Sequence, residues 1–151
     1  MKKGWLFALI FVILFSGTAL AAEDKPVLKQ ANIEVSLGQD GVEVVEHITL
    51  ANVEAIKEGK IKHIFTQFEN AEVEDLVIKA GEQELSIETQ EGNVLERILV
   101  SVPSGIAGDF SYTVAFRLSV NGDVKQVPLV VPAVAPDAEG NDVSLTVTIP
   151  E

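Results

Sequence analysis

The sequence predicts an all-β fold, a two-sheet antiparallel sandwich preceded by a signal peptide. Three observations carry that prediction. From Asn32 onward apolar residues recur at every second position, Gly, Asn and Asp break the alternating runs at roughly 12-residue intervals, and one short stretch alone has helical spacing. A side chain repeating with period two lies on one face of a strand, whereas at 100° per residue it would be scattered around a helix. The inner faces of two packed sheets account for one-sided alternation in nearly every strand.

The chain opens with Met1-Lys2-Lys3, an apolar run from Leu6 to Phe15, and Ser16-Gly17-Thr18-Ala19-Leu20-Ala21-Ala22. Two lysines, a short greasy core and an Ala-x-Ala site make a secretory signal peptide over residues 1–21, cleaved after Ala21 or Ala22. An uncleaved anchor is the alternative, although the apolar run falls short of the roughly 20 residues that span a hydrocarbon core. The expected location is outside the cytoplasm: secreted, periplasmic or at the cell surface. Residues 22–31 are polar, contain Pro26 and read as a leader, and residues 32–151 form the domain.

Ile33, Val35 and Leu37 alternate with Glu34 and Ser36, and after Gly38-Gln39-Asp40-Gly41 the phase resumes in Val42, Val44, Ile48 and Leu50. The Asp-Gly step makes this pair a hairpin, because both residues tolerate the positive φ of a tight turn. Asn52 to Gly59 holds Val53 and Ile56 three apart, an Asn in N-cap position and a terminal Gly, which predicts one short helical turn. Glu69 to Asp75 reads as a loop. Leu85 and Ile87, then Ile98, Val100 and Val102, supply further strands.

The clearest strand is Phe110, Tyr112, Val114, Phe116, Leu118 and Val120, set against Ser111, Thr113, Ala115, Arg117 and Ser119. Asn121-Gly122 marks a second hairpin into Val124–Val131. Pro128, Pro132 and Pro136 cannot donate to a ladder, so this region belongs at a sheet edge or in a crossing between sheets. The last strand carries Val143, Leu145, Val147 and Ile149 on one side and Ser144, Thr146 and Thr148 on the other. Phe110 to Val120 and the hairpins resemble immunoglobulin-like or fibronectin-like domains of bacterial envelope proteins. The resemblance covers Asn32 to Ile149 and is architectural. It lacks the Cys and core Trp of antibody domains, since Trp5 lies in the signal peptide, and it implies no functional residue. Tyr112 is a candidate tyrosine corner, or a core tyrosine with its hydroxyl at the surface.

Charge and composition narrow the function. Without Lys2 and Lys3 the exported chain keeps nine basic against 23 acidic residues, a formal charge of −14. Such a surface repels phosphate backbones and anionic headgroups, so nucleic acid is excluded as a partner, and a membrane enters only through an uncleaved leader or a larger assembly. The absence of cysteine excludes a thiol nucleophile, a redox motif and Cys-ligated zinc. No GxSxG, GxGxxG, phosphate loop or HExxH occurs. No cofactor is expected, except that calcium is possible.

The remaining chemistry is sparse. His47 and His63 lack metal-ligand spacing and read as surface or strand-facing structural residues. Glu46 sits on the apolar phase of its strand, where a bare carboxylate costs several kcal/mol, so a bulge at Val44-Val45 or a rim position should turn it outward. Glu96 poses the same question, and the two could form a hydrolytic pair only if they converge in one pocket. Asp137, Glu139, Asn141 and Asp142 are weak calcium candidates, since they lack the order of a calcium loop and its distal Glu. Glu69, Glu72, Glu74 and Asp75 read as a solvated acidic run, and Lys57, Lys60 and Lys62 as a small basic cluster. The resulting expectation is a non-enzymatic module for interaction, adhesion or structure in the cell envelope, with a protein or envelope component as partner. It would bind through the end loops Ala51–Lys60 and Pro132–Asp142 or by strand addition at an open edge. A calcium-dependent or carbohydrate-binding domain comes second and a small carboxylate hydrolase third.

Overall fold

The computed structural model describes residues 25–38, 41–66, 71–90, 95–120, 127, 130–136 and 142–149. The expected signal peptide and residues 22–24, Gln39-Asp40, Glu69, Asn121-Gly122 and Asp137 to Asn141 lie outside the described residues. Eleven strands are described: β1 (Val27–Gly38), β2 (Gly41–Ala51), β3 (Lys60–Thr66), β4 (Ala71–Ala80), β5 (Gln83–Glu84), β6 (Ile87–Gln90), β7 (Leu95–Ser101), β8 (Phe110–Val120), β9 (Val131–Pro132), β10 (Ala135–Pro136) and β11 (Asp142–Thr148). Among the described residues no helix is long and apolar enough to cross a membrane.

The strands form two sheets. The larger has seven strands in the order β10-β1-β2-β8-β4-β5, with β11 also paired to β1, and the smaller runs β6-β7-β3-β9. Pairing is antiparallel except at β1, whose outer edge takes β10 and then β11 in parallel. The proline-rich segment crosses between sheets as expected: Val131-Pro132 edges the smaller sheet and Ala135-Pro136 the larger. Proline suits both places, because an edge strand leaves one row of N–H groups unpaired.

The core is the prediction made concrete. Phe110, Tyr112, Val114, Phe116 and Leu118 are all buried, opposite Ile61, His63, Ile98 and Val100 of the smaller sheet. Two bulges conceal strands from a simple period. In β1 the register slips between Leu28 and Gln30, so inward Leu28 and inward Ala31 stand three apart. The strand therefore begins at Val27, inside what reads as a leader. In β4 Asp75 and Leu76 together oppose Phe116, with Asp75 at φ 53°, so the expected loop up to Asp75 is strand from Ala71 onward.

The Asn52 region is two single 3₁₀ turns, Val53–Ala55 and Lys57–Gly59, in place of one helical turn. Asn52 stands at the cap position in a left-handed conformation, and its Nδ2 donates to the Lys25 carbonyl without bonding the turn itself. The first hairpin closes as predicted, with Gly38 paired to Gly41. Gly41 has φ 146°, and a Cβ there would lie 2.6 Å from the Leu118 carbonyl oxygen. Gly41→Ala is therefore expected to lower stability by about 2 kcal/mol through strain and backbone displacement. Urea unfolding would show it as a lower midpoint at constant slope, and an unchanged midpoint would refute it.

Candidate functional site: an outer hollow and a buried polar seam

Alternation places Glu46 inward, and the structure keeps it there. β2 pairs with β8 without interruption from Val42 to Leu50, so no bulge at Val44-Val45 turns the carboxylate outward, and Glu46 is only 2% exposed. Its partner comes from far along the chain: the Val130 N–H donates to Glu46 Oε1 at 2.9 Å. Burial raises the Glu46 pKa to about 7, and the Val130 bond opposes the rise.

His63 and Tyr112 form the second half of this seam. His63 Nε2 and the Tyr112 hydroxyl lie 2.7 Å apart, both groups are buried, and the rings meet edge to face. Tyr112 is thus a core tyrosine whose hydroxyl is internal, tying the two sheets together. Burial lowers the His63 pKa to about 4, against a smaller opposing pull from the Ile61 carbonyl, and His63 Nδ1 has no hydrogen-bond partner. The Tyr112 pKa is raised, by burial first and by the Glu46 charge second. None of these groups opens to solvent, so no substrate reaches them. Glu46 stands on the larger sheet and Glu96 on the smaller, and the Glu96 side chain lies outside the described residues.

The other candidates are dispersed. His47 faces the opposite side from Glu46, exposed, with Nδ1 3.0 Å from Thr113 Oγ1. Asp142 is exposed at the head of β11, while Asp137, Glu139 and Asn141 lie outside the described residues. Among the described residues no three His, Asp or Glu side chains are grouped to hold a metal ion. Glu72, Glu74 and Asp75 are exposed along β4. Lys60 pairs with Glu88 at 2.7 Å across the smaller sheet, which engages one member of the basic cluster. The Ala51–Lys60 end loop is clasped by its neighbour: Val53 is buried, and Glu54 Oε2 accepts the Gly108 N–H at 2.8 Å.

An unforeseen feature lies on the outer face of the larger sheet. A hollow of about 460 Å³ is lined by outward residues of β2, β8 and β4, among them Glu43, Val45, Asp75, Val77, Ala115 and Arg117. Register explains its composition. Val45, Ala115 and Val77 form one cross-strand row, bounded on one side by Glu43, Arg117 and Glu74 and on the other by His47, Thr113 and Lys79. The β4 bulge restores the alternation that puts Val77 outside and Ile78 inside. The sequence signal was the apolar doublet Val44-Val45 and the triplet Leu76-Val77-Ile78, each of which must show at least one apolar side chain to the outer face.

No family model matches the chain, and no curated protein matches it. Among solved structures it is similar to a non-cellulosomal cohesin from the hyperthermophilic archaeon Archaeoglobus fulgidus, 20% identical over 84% of this chain and 92% of that one, with a TM-score of 0.42. It is also similar to the seventh ScaB type I cohesin from Pseudobacteroides cellulosolvens, 14% identical over 81% and 93% of the two chains, TM-score 0.37. These matches are cohesins, not the immunoglobulin-like or fibronectin-like domains of the sequence resemblance, and the description of this chain as a two-sheet β-sandwich rests on its own strand pairing.

Proposed function

We propose that this chain is a non-enzymatic extracytoplasmic module that binds a protein partner through the outer hollow of its larger sheet. The row Val45, Ala115 and Val77 carries the reading. It is an apolar strip whose described neighbours on that face are polar or charged, and it floors a hollow of about 460 Å³, within the range of specific binding sites. Nothing in the fold requires that strip to be apolar, since it faces away from the core. Its surroundings suit a partner that inserts an apolar side chain and presents opposite charges on either side of it. The Lys2-Lys3 leader and the acidic composition support action outside the cytoplasm, away from nucleic acid.

The test is capture on immobilised residues 22–151 from the envelope and extracellular fractions of the source organism. A specific partner is expected to be held by the native domain and by Glu84→Lys, on the distant β5 edge, and to be lost at least roughly tenfold by Ala115→Arg, which fills the strip. Equal capture by all three forms would refute the hollow as the binding surface.

A further inference from the structure

The last strand is greasy on one side, and that side is not covered. Val143 is 54% exposed, Leu145 59%, Val147 51% and Ile149 71%. The parallel register sets Val143 beside Ala31, Leu145 beside Ile33 and Val147 beside Val35, and those three β1 residues are buried. The apolar row of β11 therefore continues the inner face of the larger sheet past the reach of the smaller one. Beyond β11 no further strand is paired among the described residues. In a ladder of this kind alternate residues point their N–H and C=O groups at the neighbour, and the others point theirs outward. β11 thus presents both an exposed apolar row and an open hydrogen-bonding edge.

Exposed edges are usually blunted by lysine, proline, a bulge or brevity. β11 has none of these: Val143 to Ile149 contains no charge and no proline, and its pairing with β1 has no slip. The opposite end of the same sheet, by contrast, is blunted: the exposed, polar two-residue β5 pairs β4 at Lys79 and Ala80, and the rest of that edge is bulged at Asp75 and carries the exposed Glu72, Glu74 and Asp75.

We propose that β11 pairs with β11 of a second copy, antiparallel across a two-fold axis at Leu145. The strand complements itself in that register. Leu145 meets its own copy, Val143 meets Val147, Ser144 meets Thr146, and Asp142 meets Thr148, so apolar faces apolar, hydroxyl faces hydroxyl and the two acids stay apart. For a chain of net charge −12, an uncharged seam is where two copies repel least. Pairing about a two-fold consumes the edge in both copies, and the far edge, where β5 pairs β4 only at Lys79 and Ala80, is broken by the Asp75 bulge and carries Glu72, Glu74 and Asp75, so the assembly closes as a dimer and does not grow into a filament. This inference is independent of the outer hollow, which lies on the other face of the sheet.

Residues 22–151 hold every described strand and contain no cysteine, so single cysteines report the register cleanly. Sedimentation over micromolar concentrations is expected to show a dimer, and Leu145→Lys or, independently, Val147→Lys should raise its dissociation constant by at least roughly tenfold with the far-UV spectrum and melting temperature retained. Under oxidation Leu145→Cys should give a covalent dimer, because directly opposed Cβ atoms are about 4.5–5.5 Å apart. Thr146→Cys should not, since its copy lies about 7–8 Å away on the diagonal. A monomer throughout the range, a dimer indifferent to both lysine variants, or cross-linking through Thr146→Cys in place of Leu145→Cys would each overturn the proposal.

Discussion

Glu46→Gln is expected to stabilise the domain by about 3 kcal/mol near pH 8 and to change little near pH 4. The folded pKa of about 7 lies above the ordinary value of 4.5, so the folded chain holds a proton that the unfolded chain has released. Stability is therefore lost as pH rises from about 4.5 through about 7, and is flat above that. Glutamine keeps an oxygen for the Val130 N–H at 2.9 Å while removing the charge that burial penalises.

His63 works in the opposite sense. Its folded pKa of about 4 lies below 6.5, so its contribution is present above about 6.5 and lost as pH falls through about 4. The two windows overlap, and in the native chain the two slopes largely cancel. Chemical unfolding at several pH values should reveal them separately: Glu46→Gln leaves a stability that climbs with pH, and His63→Gln, whatever its absolute stability, one that declines. A stability difference between the native chain and Glu46→Gln that does not vary with pH would show that Glu46 is not a desolvated carboxylate in the folded state.

Phe116→Ala is the second large effect, an expected loss of about 3–5 kcal/mol. Phe116 is 4% exposed, faces the smaller sheet from the middle of the larger, and stands opposite the bulge where Asp75 and Leu76 meet it together. Against a typical total of about 5–15 kcal/mol, the variant should unfold at well below the native urea midpoint. Ser111→Ala, five residues earlier on the exposed phase, should stay within about 0.5 kcal/mol of native. Similar losses for the two would contradict the assignment of inner and outer faces along β8.

Those faces were readable because β8 is regular from Phe110 to Leu118 and nothing interrupts its period. Where the period is interrupted the reading stopped short. Lys29 is an extra residue in β1 and Asp75 in β4, and a single inserted residue shifts every later side chain to the other phase, which made Val27–Ala31 look like leader and Ala71–Asp75 like loop. Glu46 shows a different gap. Its inward phase was plain, but the group that tolerates it, the Val130 N–H, is 84 residues away and leaves no local trace. For β11 the alternation was right and its consequence was not: a shared face was legible, whereas whether the second sheet reaches far enough to cover it depends on the width of both layers. The hollow over Ala115 was missed for the same reason, since an apolar residue on the outer phase is ordinary until three adjacent strands bring theirs into one row.

The parallel closure of β11 on β1 also fixes an order of events. Asn32 accepts its hydrogen bond from Ser144, 112 residues later, so the first strand waits for the last before its outer flank is satisfied. Loops that long close slowly, and until they do a growing chain carries an incomplete sheet whose first-made strand is its most vulnerable. Synthesis halted anywhere before Asp142 would leave Ala31, Ile33 and Val35 beside an empty lane, so β11 acts as the latch that closes the flank of β1.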